Sequence, residues 1–302
     1  MKQFVNVSGG KDSTAMWLLA IERGEAVEAC FADTGHEHPL TYEYIDYLES
    51  KLGPIRRVQA DFTRLLGVKR NTVQTKWREE GVSEDIIEEA LSVLNPTGNP
   101  YLDMCLYHGR FPSTKAKFCT QELKVIPIVT QVYGPVLSAG DEVLSWQAVR
   151  RDESRGRAKL DEYEDTFEYG YIYRVYRPIL DWTVEDVFAM HAKHGLEPNP
   201  LYKLGMGRVG CMPCINARKE ELYHIASRFP DQIDRVARWE ALVAKAHKRR
   251  DIIPTLFATA EGKGVGVAEV AEWSKTKRGG RQYDLFRQGD VPMCHSIYGL
   301  CE

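Results

Sequence analysis

The stretch that decides the fold reads Val5-Asn6-Val7-Ser8-Gly9-Gly10-Lys11-Asp12-Ser13-Thr14 and continues into the apolar run Ala15-Met16-Trp17-Leu18-Leu19-Ala20-Ile21. A short apolar segment that passes through two glycines into a helix is typical of a strand, turn and helix that bind an anion. The glycines allow close approach of the backbone, and the N–H groups at the positive helix end then point at the anion. The lysine and the hydroxyl side chains add further donors, so the stretch predicts a phosphate site.

The spacing of these residues excludes a Walker A loop, because G-x-x-x-x-G-K-[ST] is absent. An ordinary turn capped by Asp12 or Ser13 is the alternative, and the density of anion-binding groups favours phosphate. The run from Ser8 to Ser13 resembles the SGGxDS loop of the ATP pyrophosphatases, the PP-loop superfamily. This resemblance implies binding of ATP with Mg²⁺ and cleavage between its α- and β-phosphates. Lys11 and Asp12 are then catalytic candidates, with Asp12 the nearest carboxylate for the metal.

Composition describes an ordinary globular protein. The chain has 302 residues, 43% of them hydrophobic, and a formal net charge of −3, which gives no whole-chain electrostatic case for nucleic acid but leaves local basic patches open. We find no signal-peptide core and no apolar run near the roughly 20 residues of a membrane helix, so we expect a cytoplasmic protein without membrane association. Seven cysteines fit a reducing compartment, where they more often bind metal or react than form disulfides.

A parallel sheet is predicted from the first thirty residues. Residues 3–7 and 27–32 read as strands around a helix at 12–23, a β-α-β unit with a right-handed crossover. The second strand ends at Asp33-Thr34-Gly35, beside the phosphate loop if the carboxyl ends of the strands meet there. A plain turn or helix cap is the alternative for Asp33. Together with Thr41-Tyr42, the segment resembles the DTG-x-x-x-x-x-T-Y segment of the phosphoadenylylsulfate (PAPS) reductase and ATP sulfurylase group, which implies an adenine nucleotide site.

An arginine-rich run follows the apolar segment 143–149. It reads Arg150-Arg151-Asp152-Glu153-Ser154-Arg155-Gly156-Arg157. Guanidinium groups match phosphate or sulfate oxygens bidentately, so the run is either an anion clamp or a solvated basic loop. It resembles the G-x-R-x-x-[EQ]-S-x-x-R signature of the PAPS reductase family, which assigns nucleotide or substrate binding to Arg150, Arg151, Ser154 and Arg157 and adds Arg151 to the catalytic candidates.

The resemblance extends over about residues 4 to 225. Residues 178–187 match the P-L-x-D-W-x-x-x-D-V run of PAPS reductases, and 198–202 match its N-P-L-Y. It implies a doubly wound, mainly parallel α/β fold of the adenine nucleotide α-hydrolase type over 1–225. Residues 226–302 would form a helical extension with a cysteine-containing tail. Between these parts, 61–70 and 83–94 look helical, and the polar stretch after the Asn95–Pro100 breaker cluster, with Cys105 and His108, is read as a solvated connection rather than a lid.

Three cysteines form the second candidate centre. Cys119 stands at a predicted helix start between lysines, which lowers a thiol pKa, so we expect a thiolate there. Cys211 and Cys214 form a C-x-x-C turn, and the three together could hold three corners of a [4Fe-4S] cluster. Zinc and a thioredoxin-type dithiol remain alternatives. The segment at Cys119 resembles the cluster-binding segment of PAPS reductases, but Phe118 stands where iron–sulfur members have an adjacent cysteine.

The tail cysteines complete these expectations. Cys301 is our candidate for the fourth cluster ligand, and Cys294 is our catalytic candidate. An intact pyrophosphate loop beside such a centre suggests a sulfurtransferase similar to DNA phosphorothioation and tRNA thiolation enzymes. Its partners would be an adenine nucleotide, a sulfur acceptor, with nucleic acid among the candidates, and a sulfur donor such as a cysteine desulfurase or a reductant protein. A homodimer is left open. A reductase that releases sulfite, and a non-catalytic nucleotide sensor, are the alternatives.

Overall fold

The computed structural model of the chain describes residues 1–257 and 266–276. Six strands lie in one sheet; in chain order they are β1 (Lys2–Val7), β2 (Val27–Asp33), β3 (Ile55–Gln59), β4 (Val143–Trp146), β5 (Tyr163–Glu168) and β6 (Tyr171–Tyr176). Their spatial order is β3-β2-β1-β4-β6-β5, and every neighbouring pair is parallel except β5 with β6. The prediction of a mainly parallel α/β fold is confirmed.

Helices flank this sheet. In chain order they are α1 (Lys11–Glu22), α2 (Pro39–Leu52), α3 (Thr63–Gln74), α4 (Lys76–Glu79), α5 (Glu84–Val93), α6 (Pro100–His108), α7 (Phe118–Thr120), α8 (Ile126–Ile128), α9 (Gly134–Ser138), α10 (Val184–Lys193), α11 (Lys219–Arg228), α12 (Pro230–Ala246) and α13 (Val267–Ser274). Two π-helical segments, Gln121–Val125 and Val129–Tyr133, join α7, α8 and α9 into one run. Among the described residues, no helix has both the length and the apolar character needed to cross a bilayer.

Strand β1 is the centre of the sheet. Its residue Val5 pairs with Ala29 of β2 on one side and with Trp146 of β4 on the other. The chain first runs outward through β2 and β3 and later returns on the opposite side of β1. Ligands of open α/β sheets lie at such a reversal of strand order, outside the carboxyl ends of the strands. The loop after β1 occupies this position.

Both faces of β1 are buried, as expected of a central parallel strand. Val5 and Val7 pack with Met16 of α1 in one core, and Phe4 packs with Val129 in the core on the opposite face. These side chains are at most 4% exposed. The loop after β1 therefore rises from a rigid base.

The prediction of a solvated connection after the Asn95–Pro100 breaker cluster is wrong for its first part, because residues 100–108 form helix α6. The Asn99 side chain accepts from the Leu102 N–H, and Pro100 occupies the first turn, a standard helix start. Cys105 is completely buried in the core with Met104. The cap was present in the sequence, but the surrounding breaker residues concealed it.

The C-terminal helices join the core of the N-terminal part. Ile233 and Val243 of α12 lie in one buried cluster with Ile87 of α5 and Tyr101 of α6. Helices α11 and α12 are separated at Phe229-Pro230, because proline is tolerated only in the first turn of a helix. Residue 225, the proposed boundary, falls inside α11.

We predict that Ile233→Ala destabilises the whole chain in one transition. Ile233 is 7% exposed, and truncation of a buried isoleucine costs about 2–5 kcal/mol. The control is Ile21→Ala on α1, where the side chain is 42% exposed and the expected loss is about 0.5 kcal/mol. Urea unfolding followed by far-UV circular dichroism measures both. Two separate transitions in the variant would mean that the C-terminal helices fold independently.

Candidate functional site

The loop between β1 and α1 requires glycine. Gly9 has a φ of +71°, and a β-carbon there would lie 3.0 Å from Thr41 Cγ2 of α2. A left-handed backbone and a close neighbour both exclude larger residues. The chain therefore passes close to α2 before it turns into α1.

Hydroxyl groups hold the shape of the loop. The Ser13 and Thr14 hydroxyls donate to the Gly10 carbonyl at 3.0 and 3.1 Å, and Ser13 Oγ also accepts from the Ser8 N–H at 3.1 Å. Ser8 Oγ lies 3.2 Å from Ser13 Oγ. These side chains, expected as phosphate donors, serve here to fix the backbone around the anion position.

Three side chains from α10 and the following segment fix the loop from outside. The Tyr202 hydroxyl accepts from the Lys11 N–H at 2.9 Å, and Asn199 donates to the Gly9 carbonyl at 3.1 Å. His191 Nε2 donates to the Lys11 carbonyl at 2.9 Å. The N-P-L-Y motif thus acts on the loop, whereas no motif in the sequence marks His191.

Amide groups remain for an anion. Among the described hydrogen bonds, none uses the N–H of Gly9 or Gly10, and Asp12 and Ser13 stand in the first turn of α1, where amides have no intrahelical partner. These amides and the positive end of the helix are the groups that the predicted phosphate cradle requires.

A buried ion cluster lies beside the cradle. Asp12 accepts from Arg150 Nε at 2.7 Å through one oxygen and from Lys11 Nζ at 3.0 Å through the other. Arg150 is 3% exposed and also contacts Asp152 at 2.6 Å. Lys11 is therefore paired with Asp12, and both oxygens of this predicted Mg²⁺ ligand are already engaged.

The other members of the arginine run point elsewhere. Arg151 pairs with Asp181 at 2.6 Å and donates to the carbonyls of Ala158 and Leu160. Arg157 pairs with Glu153, and its N–H donates to Ser154 Oγ at 3.2 Å. Only Arg150 of the run reaches the phosphate loop in the described hydrogen bonds.

The loop after β2 is held by its own polar groups. Asp33 accepts from the Gly35 N–H at 2.9 Å, from Tyr42 at 2.7 Å and from Gln59 at 2.5 Å. Gly35 has a φ of +72°, and a β-carbon would lie 2.9 Å from Asn99 Nδ2. Asp33 thus shapes the turn beside the phosphate loop.

The loop after β2 also contacts the C-x-x-C turn. The Met212 N–H donates to the His36 carbonyl at 2.8 Å, and Glu37 pairs with Cys211 in an antiparallel bridge. The Thr34 hydroxyl lies 3.5 Å from Cys211 Sγ and 2.8 Å from the Glu37 carboxyl oxygens. The C-x-x-C turn therefore lies against the loop that follows β2, the strand next to β1.

The Lys124 ammonium interacts electrostatically with three thiols. Burial lowers its pKa, but Cys211, Glu37, Cys214 and Cys119 outweigh burial, so the pKa of Lys124 is raised. Cys214 also accepts from Arg208 at 2.8 Å. The positive charges of Lys124 and Arg208 thus lie beside the predicted ligands.

The expectation of a low-pKa thiol at Cys119 is wrong. Burial raises its pKa, the nearby Cys214 thiol raises it further, and Lys124 compensates in part. Burial likewise raises the pKa of Cys211 to about 12. The sequence showed the lysines and the helix start, but it could not show the burial, which dominates.

Cys119, Cys211 and Cys214 all raise the pKa of the Lys124 ammonium, so the three predicted ligands share one electrostatic environment. Thiolates are the ligands of both iron–sulfur clusters and structural zinc. Within residues 1–257 and 266–276, no three His, Cys, Asp or Glu side chains are arranged to hold one metal ion. Cys294 and Cys301 lie outside the described residues.

Sequence reasoning missed the contribution of α12 to this centre. Arg235 donates to the Met212 carbonyl and to His36 Nδ1, both at 3.1 Å, and His36 Nε2 donates to the Pro213 carbonyl at 3.0 Å. Trp239 stacks on Tyr101 with ring centroids 5.7 Å apart. No motif marks these residues, because their role follows from the packing of α12 alone.

Several known proteins are similar to this chain. The family model described as phosphoadenosine phosphosulfate reductase domain matches residues 2–217. An uncharacterised 37.8 kDa protein of Escherichia phage 186 is 48% identical over 322 residues, covering 99% of this chain and 96% of that protein. The phosphoadenosine 5'-phosphosulfate reductase of Buchnera aphidicola is 25% identical over 209 residues, 69% of this chain and 68% of that one. The crystal structure of PAPS reductase from Candida auris in its phosphate complex has 18% identity and a TM-score of 0.42, covering 70% and 81% of the two chains.

We predict that Arg150→Lys weakens ATP binding by roughly 2 kcal/mol, or about thirtyfold, because lysine lacks the fork that bonds Asp12 and Asp152 together. Arg151→Lys is the matched control. Its pair with Asp181 is largely exposed, so ATP affinity should stay within about threefold. Isothermal titration calorimetry measures both. Equal losses in the two variants would place Arg151 on ATP as well.

We also predict an acid-sensitive phosphate loop. Burial lowers the pKa of His191 below its ordinary value of 6.5, so the unfolded chain takes up a proton that the folded chain does not. Below pH 6.5 this group costs stability, by up to about 1.4 kcal/mol per pH unit until its folded pKa is reached. In His191→Gln the loss of unfolding free energy between pH 6.5 and 5 should be smaller. An identical slope, measured by urea unfolding, would contradict this assignment.

Proposed function

The chain belongs to the phosphoadenosine phosphosulfate reductase domain family, and from this premise we propose that it is an ATP-dependent sulfurtransferase. The phosphate loop would bind ATP and activate an acceptor oxygen as an adenylate. The thiol centre would then deliver sulfur in place of that oxygen. Adenine nucleotide binding accords with the family, and the sulfur chemistry is the proposal's own step.

One observation carries the proposal: the thiol turn is bonded to the loop after β2, and β2 is the parallel neighbour of β1, which the phosphate loop follows. Thr34 follows β2, and its hydroxyl lies 3.5 Å from Cys211 Sγ. A nucleotide and a sulfur held at such neighbouring positions meet without a large movement of the chain. Proximity of this kind supplies much of the advantage of a two-substrate enzyme.

The reaction divides into two displacements. The acceptor oxygen attacks the α-phosphorus of ATP, the bond to the bridging oxygen breaks, and pyrophosphate leaves. Sulfur at the oxidation level of sulfide then attacks the acceptor carbon that bears the adenylated oxygen. The bond between this carbon and the oxygen breaks, and AMP leaves with the oxygen. No electrons are gained or lost. The free amides of the loop would stabilise charge on the phosphates, and Mg²⁺ would arrive with the triphosphate, because both Asp12 oxygens are paired.

A [4Fe-4S] cluster would be held by Cys119, Cys211 and Cys214, with Lys124 balancing its charge. When bound, such a cluster would supply a site for sulfide beside the nucleotide. The chain's own residues do the rest: Thr34 and the Met212 amide fix the turn, and Arg235 holds its carbonyl. We propose Cys301 as the fourth ligand and Cys294 as a catalytic thiol.

A reductase that releases sulfite is the second candidate. It is favoured by relatives such as the Buchnera aphidicola phosphoadenosine 5'-phosphosulfate reductase. In that reaction Cys294 would attack the substrate sulfur, and a second thiol would release sulfite as the pair is oxidised. The substrate distinguishes the two, since a sulfurtransferase needs ATP.

We predict that Lys11→Ala lowers ATP affinity by roughly 1.5–3 kcal/mol, because a charged partner of Asp12 is lost at the cradle. Cys211→Ser should keep ATP affinity within about threefold, as the thiol makes no contact with the loop that holds phosphate. Calorimetry measures both. Unchanged affinity in Lys11→Ala would contradict the assigned site.

The reaction itself is tested with ATP, sodium sulfide and short oligonucleotides under anaerobic conditions. We expect AMP, pyrophosphate and thiolated product by chromatography and mass spectrometry, and no thiolated product with Cys211→Ser. Reduction of phosphoadenylyl sulfate to sulfite, without any use of ATP, would overturn the proposal in favour of the reductase.

A further inference from the structure

Two neighbouring segments of this acidic chain contain no acidic residue. Residues 62–76, which include α3, carry Arg64, Lys69, Arg70 and Lys76, and residues 104–121, which include the end of α6, carry Arg110, Lys115 and Lys117; neither contains aspartate or glutamate. The whole chain has a formal net charge of −3, so this separation of charge is local. Such a basic surface is typical of a binding site for a polyanion.

The two segments meet at an open depression. It has a volume of about 270 Å³ and is lined by Val68, Lys69 and Thr72 of α3 and by Tyr107 and His108 of α6. Lys69 lies over the Trp77 ring at 5.6 Å and forms no ion pair among the described residues. The cation of Lys69 and the aromatic ring of Tyr107 thus line one depression.

Two acidic groups that flank these segments in the chain are already engaged. Glu122 pairs with His108 at 2.8 Å, and Asp61 accepts from the Thr63 N–H at 2.8 Å at the start of α3. Arg70 is also engaged, since it donates to the Leu91 carbonyl at 2.6 Å. Arg64, Lys115 and Lys117 are exposed and form no ion pair within the described part of the chain. These three, with Lys69, remain for an external anion.

The surface leads directly to the thiol centre. Arg110 lies over the Phe118 ring at 5.4 Å, and the His108 ring packs against Phe118 at 4.3 Å. Phe118 precedes Cys119 in the chain. A polymer bound along α3 and the 110–117 loop would therefore end beside the thiols.

We propose that this surface, formed by Arg64, Lys69, Tyr107, Arg110, Lys115 and Lys117, binds single-stranded nucleic acid. The basic side chains would contact phosphates, and the depression with Tyr107 would receive a base. Aromatic stacking and a basic track are the two elements of single-strand binding, and an acidic polypeptide would need only the second. The proposal names the acceptor class for the sulfur transfer proposed above and rests on that function only for the chemistry after binding.

The test is fluorescence anisotropy of a labelled 20-nucleotide single strand, with no nucleotide triphosphate, over a range of salt. Replacing Lys69, Lys115 and Lys117 together by Gln should weaken binding about a hundredfold at 0.1 M salt and reduce the slope of log K on log salt by about two. The control replaces by Gln three lysines of other elements, Lys2 of β1, Lys51 of α2 and Lys193 of α10, and so changes the net charge equally. The affinity of the control for the strand should lie within about threefold of the native affinity, because its lysines would add only a small non-specific attraction.

The base site is tested separately. Tyr107→Leu should weaken binding about tenfold, whereas Tyr107→Phe, which keeps the ring, should bind like the native chain. Thermal melts of all variants verify the fold. No binding at 50 mM salt, equal loss in both triple variants, or equally tight binding of poly-glutamate would overturn the proposal. Because ATP is absent, a chain that binds the strand but never consumes ATP would retain this proposal and lose the proposed function.

Discussion

The structure of the site depends on one backbone hydrogen bond, from the Met212 N–H to the His36 carbonyl, 2.8 Å long. It joins the C-x-x-C turn, near the end of the region that matches the family model, to the loop that follows β2. Glu37 and Cys211 continue the pairing as a short antiparallel bridge. Together these contacts hold the thiol turn against the strand next to β1.

Buried charge is the second constraint on the site. Arg150, Asp12 and Lys11 form a desolvated set in which each charge has a partner, as the cost of burial demands. The set stands beside the amides that remain for phosphate. Such an arrangement keeps the geometry of the cradle before a nucleotide arrives, so little reorganisation accompanies binding. It also explains why Arg150 alone, of an arginine-rich run, reaches the loop.

The C-terminal helices belong to the same physical unit. Arg235 fixes the Met212 carbonyl and His36, and Trp239 covers Tyr101 behind the thiols. These residues follow the stretch that matches the family model, which ends at residue 217. Helix α12 therefore contacts the C-x-x-C turn through Arg235, and it also extends the hydrophobic core over α5 and α6.

Local patterns in the sequence determined the strands β1 and β2, the helix between them, the parallel sheet and the phosphate loop, because each depends on neighbours within a few residues. They also indicated the three thiols. The helix at 100–108 was missed although Asn99 and Pro100 start it, since its apolar face has meaning only against a partner surface. The pKa of Cys119 was misjudged for a related reason: charge is visible in a sequence, but burial is not. Only the tertiary structure decided which arginine meets Asp12, that Tyr202 and His191 hold Lys11, and that Thr34 meets Cys211, because these contacts join residues distant in the chain and follow from packing.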